Sequence, residues 1–390
     1  MFTCLPGARA SCPRRRAEGV PPSLPGACVT PGVNTYDFEY TGGMPKRILV
    51  CTAQVPFARG GAELLAEGLC DALRARGHSA DMVALPYAWQ PHDRLATSAL
   101  AWRLLDLTHV DGALVDQIIC TKFPSYAARH PRKVVWLVHQ HRQAYDWYGT
   151  PLSDFANTPE DRAIRDQLLR IDRAMLGEAQ RRYAISRNVA ARLRRFTGLD
   201  AMPLHPPSRY AGRLHAGPYG DYLLSDARLD AAKRLDLLLR ALARTSMPIR
   251  CVLIGAGADR ERLERLAAEL GLGARAEFRG FVPDEELIAL YAAARAVYYA
   301  PYDEDYGFTS IQALAAARPV ITTEDAGGVL EFVTDGVTGL VAPPDPVAIA
   351  ARLDLLFADQ GLAARLGAAG PARVAGITWD RVIDALILER

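Results

Sequence analysis

The most informative segment of this chain is Pro301-Tyr302-Asp303-Glu304-Asp305-Tyr306-Gly307-Phe308-Thr309-Ser310-Ile311-Gln312-Ala313-Leu314. It begins where an apolar, strand-like run at 296–300 gives way to a helical pattern. The first turn of a helix offers unpaired N–H groups and the positive end of the helix dipole, which suit a phosphate or diphosphate. A carboxylate just ahead of that turn suits hydroxyl groups on whatever the phosphate carries. A ligand with both parts is a nucleotide sugar.

The same segment resembles the signature of the group 1 glycosyltransferases, which are retaining enzymes of the two-domain GT-B fold. That signature has a proline, a short acidic stretch, a glutamate, an aromatic-glycine pair and a second glutamate eight positions after the first. Glu304 fills the first glutamate position, whereas Gln312 replaces the second. The resemblance implies that Glu304 holds the sugar hydroxyls and Gln312 meets the nucleotide ribose. It also implies that Gly307, Phe308 and Thr309 bind the donor.

Two other interpretations of this segment stay open. The acidic residues could form a solvated turn between a strand and a helix. Asp303 and Asp305 also fit the Asp-x-Asp metal clamp of the other glycosyltransferase fold. Their place late in the chain, at the start of a helix, argues against that clamp, so we predict that no metal is bound.

Length and composition indicate a globular enzyme of two or three domains. The chain has 390 residues, of which 50% are hydrophobic and 23% charged, with a net charge of +2. So small a charge gives no indication of a nucleic-acid partner. The seven Cys have neither Cys-x-x-Cys nor zinc spacing, which favours a reducing cytosol over a disulfide framework. No apolar run is long enough for a transmembrane helix.

Residues 1–43 differ from the rest of the chain. They are rich in Pro and Gly, contain three consecutive Arg and show no sustained periodicity or secretory core. A first strand begins soon after Met44. We therefore expect residues 1–43 to be a disordered extension or the product of a wrongly assigned start codon.

From residue 44 onward, strand-like runs alternate with helical patterns, which is typical of doubly wound α/β domains. The first series of strands is predicted at 48–53, 80–85, 117–121, 134–139 and 182–185. The second is predicted at 222–225, 249–254, 276–281, 296–300 and 320–323. The family resemblance covers about residues 45–390. It implies two Rossmann-like domains that face each other across a cleft, an acceptor domain at 44–205 and a donor domain at 206–376. A helix within 377–390 is expected to cross back onto the first domain.

The segment from Ser225 to Arg234 resembles the family element Ser-x-x-Arg-Leu-x-x-x-Lys. The resemblance assigns Arg228 and Lys233 to the donor diphosphate. Two fixed cations can stabilise the charge of a leaving diphosphate without a metal, so no cofactor is expected beyond the donor substrate itself. An ordinary basic helix start is the plainer interpretation.

Three glycine-containing segments are expected to lie beside the donor. Gly255 and Gly257 follow a strand, a weak phosphate-loop signal that a dinucleotide-binding dehydrogenase would share. The segment ending at Val282 resembles the part of the family whose backbone frames the nucleotide base. Residues 326–340 match the family's next loop, in which Glu331 is either a ligand contact or a helix-start carboxylate.

The first half offers its own candidates at the ends of strands. Gly61 opens the first helix and is placed to meet phosphate from across the cleft. His139 ends an apolar strand, where active sites collect, and the resemblance puts a donor-sugar contact there. His141 and Arg142 follow as further candidates on the acceptor side.

Arg187, Arg192, Arg194 and Arg195 surround an apolar face of a predicted helix. Such a helix either packs on its own sheet or lies on an anionic membrane. We therefore expect a cytoplasmic protein, with contact to the inner membrane face as an alternative.

These features together predict a retaining, metal-independent glycosyltransferase. It would move a hexosyl unit from a nucleoside-diphosphate sugar to a glycan, a lipid-linked acceptor or a small polyol. A catalytically silent GT-B subunit that supports a partner is the alternative that Gln312 favours. A dehydrogenase would use Gly255 and Gly257, but it would leave the segment 301–314 unexplained.

Overall fold

A computed structural model describes residues 44–56 and 60–389. The prediction for residues 1–43 lies outside the described residues. The chain from Pro45 onward forms one compact unit.

Two six-stranded parallel sheets organise this unit, one in each half of the chain. The first sheet has the order β2-β1-β5-β6-β7-β8. Its strands are β1 (Arg47–Gln54), β2 (Ser79–Pro86), β5 (Gln117–Lys122), β6 (Lys133–His139), β7 (Arg181–Ala184) and β8 (Met202–Pro203). A separate antiparallel pair consists of β3 (His109–Val110) and β4 (Ala113–Leu114).

The second sheet has the order β11-β10-β9-β12-β13-β14. Its strands are β9 (Tyr222–Asp226), β10 (Arg250–Ile254), β11 (Ala276–Gly280), β12 (Ala296–Tyr298), β13 (Val320–Thr323) and β14 (Gly339–Ala342). In both sheets the strand order reverses next to the first strand of the half. Crevices at such reversals, outside the carboxyl ends of the strands, are where open α/β sheets bind ligands.

Helices connect the strands in both halves. Those of the first half are α1 (Gly61–Ala75), α2 (Arg94–Leu104), α3 (Pro159–Gly177) and α4 (Arg187–Thr197). Those of the second half are α5 (Leu235–Leu242), α6 (Arg260–Glu269), α7 (Asp284–Ala293), α8 (Phe308–Ala315), α9 (Pro346–Ala358), α10 (Gln360–Ala368), α11 (Gly370–Val374) and α12 (Trp379–Leu386).

The apolar periodicity of α1 explains why it packs on the first sheet. Leu65, Leu69 and Leu73 recur every four residues and are all buried. The helix ends before Gly77, whose φ of 78° lies in the left-handed region that glycine adopts without strain. The predicted strands and helices therefore arise from the same binary pattern that builds the core.

The last helix, α12, returns to the first half, as predicted. The hydroxyl of Tyr183 donates to the carbonyl of Ala385 over 2.9 Å, and the side chain of Gln117 bonds the backbone of Leu386 and Leu388 at 2.7 and 2.9 Å. On the surface, Arg76 pairs with Asp380 and Asp384 at 2.7 and 2.8 Å.

Candidate active site

The turn before α8 requires a glycine. Gly307 has a φ of 90°, and a Cβ at this position would lie 2.8 Å from Cγ2 of Val329. The chain therefore enters α8 through a conformation that only glycine tolerates here, which aims the first turn of α8 at the space next to Glu304.

Glu304 and Lys233 form a sheltered ion pair at this turn. Oε2 of Glu304 accepts hydrogen bonds from the ammonium of Lys233 and, over 3.1 Å, from the hydroxyl of Tyr299. The two charged side chains are only 15% and 13% exposed. Burial acts to lower the pKa of Lys233, but the negative charge of Glu304 outweighs it and the pKa is raised. Lys233 is therefore held as a cation beside a carboxylate.

Arg234, which the sequence analysis did not single out, fixes the position of Lys233. Its φ is 50°, and its guanidinium bonds both carboxylate oxygens of Asp325 at 2.7 Å. It also donates to the carbonyls of Ala300 and Pro301 at 3.0 and 3.1 Å. The loop that carries Lys233 is thus tied to the segment that carries Glu304. A bidentate pair between residues 91 positions apart leaves no local signal in the sequence.

The other predicted diphosphate ligand, Arg228, stands apart from this cluster. Its side chain is 71% exposed and pairs with Asp230 at 3.2 Å. The structure therefore brings Lys233 and Glu304 together and leaves the guanidinium of Arg228 in solvent.

Gly255 and Gly257 support the loop that contains Arg228. A Cβ on Gly255 would lie 2.0 Å from the carbonyl oxygen of Ala227, and one on Gly257 would lie 2.2 Å from that of Leu229. Because glycine has no side chain, the backbone at both positions can pack closely against the backbone of residues 227–229. This close packing explains why both positions are glycine, so a dinucleotide-binding loop is not needed to explain them.

Gln312 lies in a buried polar network at the end of β9. Its Oε1 lies 3.0 Å from the hydroxyl of Tyr291, which in turn lies 2.9 Å from Oδ2 of Asp226. Its Nε2 donates to Oγ of Ser208 over 3.3 Å. Burial raises the pKa of Asp226 to about 6. Thr309 joins the network by donating to the carbonyl of Asp226 over 2.7 Å.

Val282, predicted to frame the base, follows β11. Val282 is buried, with 7% of its surface exposed. The neighbouring Phe281 is 82% exposed.

Two predicted residues of opposite halves do meet across the cleft. A Cβ built on Gly61 would lie 3.5 Å from Cδ2 of Phe308, an ordinary van der Waals distance. The amino end of α1 and the amino end of α8 therefore face the same space. Glu63 closes the first turn of α1 by accepting from the N–H of Gly60 over 2.9 Å and by pairing with Lys122.

His139 is half-buried at the carboxyl end of β6. Its Nδ1 lies 2.9 Å from the carbonyl oxygen of Gln140, so Nδ1 carries the proton. Burial lowers the pKa of His139 although the charge of Asp305 opposes the shift. The imidazole is therefore neutral at pH 7. The next residue predicted on the acceptor side, His141, is buried and bonds the hydroxyl of Tyr87 at 2.6 Å.

Asp303 and Asp305 form ion pairs with arginines from the first half of the chain. Arg192 pairs with Asp303 at 3.2 Å and also with Asp305. Arg142 donates to the carbonyl of Asp303 over 2.7 Å and lies 3.6 Å from Asp305. Burial acts to raise the pKa of Asp305, but the two guanidinium groups outweigh it and hold the pKa well below its usual range.

We call Asp303, Asp305, Arg142 and Arg192 the cleft ion cluster. Each ion pair between an arginine and an aspartate of this cluster joins residues at least 111 positions apart in the sequence. No local pattern therefore indicated the cluster. It also corrects the description of α4 as an apolar face surrounded by exposed arginines, because Arg192 is 5% exposed and faces the second half. Within residues 44–56 and 60–389, no three His, Cys, Asp or Glu side chains are grouped so as to hold a metal.

The carboxylate of Glu331 lies at the start of a helix, as one of the two interpretations of the sequence expected. The helix is α4, which belongs to the first half of the chain. Glu331 accepts from the backbone N–H of Asn188 in the first turn of α4 over 3.0 Å and from His205 at 2.9 Å. The side chain of Asn188 continues to the carbonyl of Glu304 at 2.8 Å and to Asp303 at 2.7 Å. These contacts tie α4 to the segment that carries Glu304.

A family of known sequences matches the second half of the chain. Residues 219–373 match the sequence model of the family described as Glycosyl transferases group 1. The D-inositol 3-phosphate glycosyltransferase of Frankia alni is 34% identical over 198 residues, 47% of this chain and 48% of the relative. The protein of that name from Mycolicibacterium paratuberculosis is 35% identical over 200 residues, 49% of this chain and 45% of the relative. The chain thus spans about half the length of the curated relatives it matches.

Comparison with solved structures covers both halves. Sucrose-phosphate synthase from Thermosynechococcus elongatus superposes with a TM-score of 0.73 at 22% identity, over 87% of this chain and 97% of that one. WaaG, a glycosyltransferase involved in lipopolysaccharide biosynthesis, gives 0.66 at 16% identity, over 87% and 99%. At such identities the likeness carries the fold alone, and it confirms the predicted GT-B fold. No helix in the described part of the chain is long and apolar enough to span a membrane.

Proposed function

Because residues 219–373 match the sequence model of the group 1 glycosyltransferases, we propose that this protein is a retaining, metal-independent glycosyltransferase that uses a nucleoside-diphosphate sugar. The observation that carries the proposal is the sheltered cluster of Glu304, Lys233 and Tyr299 at the start of α8. It places a carboxylate for hydroxyl groups and a cation for phosphate beside a helix amino terminus.

Donor binding changes the partner of Lys233. In the unliganded protein, Glu304 neutralises this nearly buried ammonium. A diphosphate at the start of α8 offers Lys233 a stronger anion, and Glu304 is then released to accept hydrogen bonds from the sugar. The two groups are thus preorganised, and Glu304 keeps the pKa of Lys233 raised until the donor arrives.

The first half completes the site from the other side of the cleft. Gly61 lies against Phe308 and leaves room for phosphate at the amino end of α1. The neutral imidazole of His139 has its Nε2 free of the bond that Nδ1 makes to Gln140, and it serves as a contact for the sugar. The cleft ion cluster holds the halves together, which excludes water from the donor and so limits its hydrolysis.

In the proposed reaction, the bond between the anomeric carbon and the phosphate oxygen breaks, and the acceptor oxygen bonds to that carbon on the same face. The acceptor proton goes to the departing phosphate oxygen, so no separate base is required. The leaving nucleoside diphosphate gains negative charge, which Lys233 and the start of α8 stabilise.

Metal independence is supported by the state of the two carboxylates that could form a clamp. Asp303 and Asp305 already accept from Arg142, Arg192 and Asn188. A divalent ion would have to displace these guanidinium groups.

Among glycans, lipid-linked acceptors and small polyols, the relatives favour a small polyol. Curated relatives that this chain matches along about half of their length are named D-inositol 3-phosphate glycosyltransferase. The first half, where the acceptor is expected, lies outside the matched family segment, so the acceptor rests on this naming alone.

A silent GT-B subunit is the second candidate, and Gln312 is the observation that favours it. In that case the protein would bind a nucleotide or glycan without turnover and support a catalytic partner.

Calorimetry against a panel of nucleoside diphosphates tests the donor site directly. Lys233→Ala should weaken binding of the best ligand by roughly 1.5–3 kcal/mol, the range for a hydrogen bond to a charged group. Arg240→Ala, which removes an exposed arginine from α5, is the control and should leave binding unchanged.

Turnover should persist in EDTA. Loss of turnover in EDTA with recovery in manganese would replace this proposal by a metal clamp at Asp303 and Asp305. Equal binding by Lys233→Ala and wild type would remove Lys233 from the donor site.

A further inference from the structure

A second polar cavity lies away from the proposed donor site, where the chain crosses between its two halves. Its volume is about 400 Å³. Residues 203–205, which leave the first sheet, form one wall, and residues 373–381, which lead back into α12, form another. We call it the crossing cavity. Lys233, Glu304 and Gln312 do not line it, whereas Glu331, which the sequence leaves open as a ligand contact, does.

The crossing cavity carries an excess of positive charge. Arg187, Arg373 and Arg381 line it together with His205, and Glu331 is its one carboxylate. That carboxylate is already engaged by the N–H of Asn188 and by His205. One carboxylate against three guanidinium groups leaves the lining with a net positive charge.

The arginines of the crossing cavity also lack the partners that this protein supplies to most others. Across residues 44–56 and 60–389, the guanidinium groups of Arg187 and Arg381 make no hydrogen bond or ion pair, and both residues are exposed. Arg373 makes one contact, to the carbonyl of Glu331 over 2.6 Å. By contrast, Arg142, Arg192 and Arg234 are each bound by carboxylates.

From this combination of cavity volume, charge and unused donors, we propose that the crossing cavity binds a small phosphate-bearing ligand. Guanidinium groups match phosphate through parallel N–H donors, and a volume of several hundred Å³ is typical of small-molecule sites. Leu204, Phe332 and Ile377 supply an apolar wall for the remainder of the ligand. The phosphate belongs either to a free phosphorylated metabolite or to a lipid headgroup, which share this chemistry.

The site is tested on the full chain with inorganic phosphate as the probe in calorimetry. Lys233→Ala serves as the background, so that phosphate at the proposed donor site does not contribute. In this background, Arg187→Ala with Arg381→Ala should weaken phosphate binding by about tenfold or more. Arg173→Ala, an exposed arginine of α3, is the matched control and should leave binding unchanged.

A second arm separates the two sources of the phosphate. Phosphatidylcholine vesicles with and without phosphatidic acid are sedimented with wild type and with the double variant. Sedimentation that needs both phosphatidic acid and the two arginines assigns the cavity to a lipid headgroup. Phosphate binding without sedimentation assigns it to a free metabolite.

Phosphate affinity that is the same with and without Arg187 and Arg381 would overturn the proposal. So would an equal loss in the Arg173 control, or binding that disappears with Lys233 alone. Melting temperatures of all variants are measured in parallel, and because the substituted residues are exposed they should match their parents.

Discussion

At the scale of single residues, Gln312 shows how a departure from a family pattern is accommodated. One hydroxyl, that of Tyr291, lies between Gln312 and Asp226 at 3.0 and 2.9 Å. A hydroxyl has one proton to donate, so two carboxylates at these positions would compete for it. An amide at 312 avoids this competition and keeps an oxygen acceptor.

We therefore expect Gln312→Glu to destabilise the protein in a pH-dependent way. The pKa of Asp226 is raised to about 6, so Asp226 is charged at pH 8 and protonated at pH 5. A second buried carboxylate would be repelled at pH 8 and tolerated at pH 5. Thermal unfolding should show a lower melting temperature for the variant at pH 8 and a smaller difference at pH 5.

The control for this prediction is Gln312→Glu combined with Asp226→Asn, which should recover stability at pH 8. It should also bind nucleoside diphosphate about fivefold more tightly than Asp226→Asn alone, because a charged acceptor improves a hydrogen bond by roughly 1 kcal/mol. A single variant as stable as wild type at pH 8 would show that Asp226 and residue 312 do not interact.

What the sequence indicates about single residues depends on where their partners lie. Glu304 and Lys233 were identifiable because each belongs to a short motif. Arg234 and the cleft ion cluster were not, because their partners lie about 90 or more positions away. Arg228 was expected in the same cluster as Lys233, and its exposure depends on the path of its loop. The sequence analysis did not predict that path.

At the scale of elements, α3 carries a carboxylate where its apolar face requires a hydrophobic residue. Leu168, Asp172 and Leu176 are its buried residues, spaced by four. The hydroxyl of Tyr145 donates to Asp172 over 2.5 Å. Burial raises the pKa of Asp172 from 3.8 to about 7, so the folded protein holds this proton more tightly than the unfolded chain.

We expect Asp172→Asn to stabilise the protein at alkaline pH. In wild type, the contribution of Asp172 to the free energy of unfolding falls as pH rises from about 4 to about 7, and then stays constant. Asn does not titrate, so the variant should gain on the order of 4 kcal/mol at pH 8 and little at pH 4. Urea unfolding across this pH range measures the difference.

Asp166→Asn, at an exposed position of the same helix, is the control and should show no such pH dependence. If Asp172→Asn were less stable than wild type at pH 8, the ionised carboxylate would be a net stabilising group and the argument from burial would fail.

The regular elements were well predicted because their patterns are local. The strand predicted at 320–323 matches β13, and the one predicted at 117–121 ends one residue before β5 does. Strand β14 was instead assigned to a glycine-containing loop. It has only four residues, and its place in the sheet comes from pairing with β13, a tertiary contact.

At the scale of the whole molecule, contacts of several kinds join the two halves. Among them are the cleft ion cluster, the bonds of Asn188 and Glu331, and the packing of α12 against the first sheet. The alternation of strands and helices predicted two doubly wound sheets, and the family resemblance predicted the return of α12. Neither could specify which side chains face each other across the cleft. Those contacts are set by the docking of the halves.

The proposed role of Glu304 is to act at the reacting sugar. Release of nucleoside diphosphate from the best-binding nucleotide sugar, measured chromatographically with and without acceptor, tests this most directly. Wild type and Glu324→Ala, which removes an exposed carboxylate after β13, should turn over alike. Glu304→Ala should lose roughly a hundredfold or more, the scale of removing one preorganised transition-state contact. Turnover by Glu304→Ala equal to that of wild type would contradict the claim, and absence of turnover in wild type would favour the silent subunit.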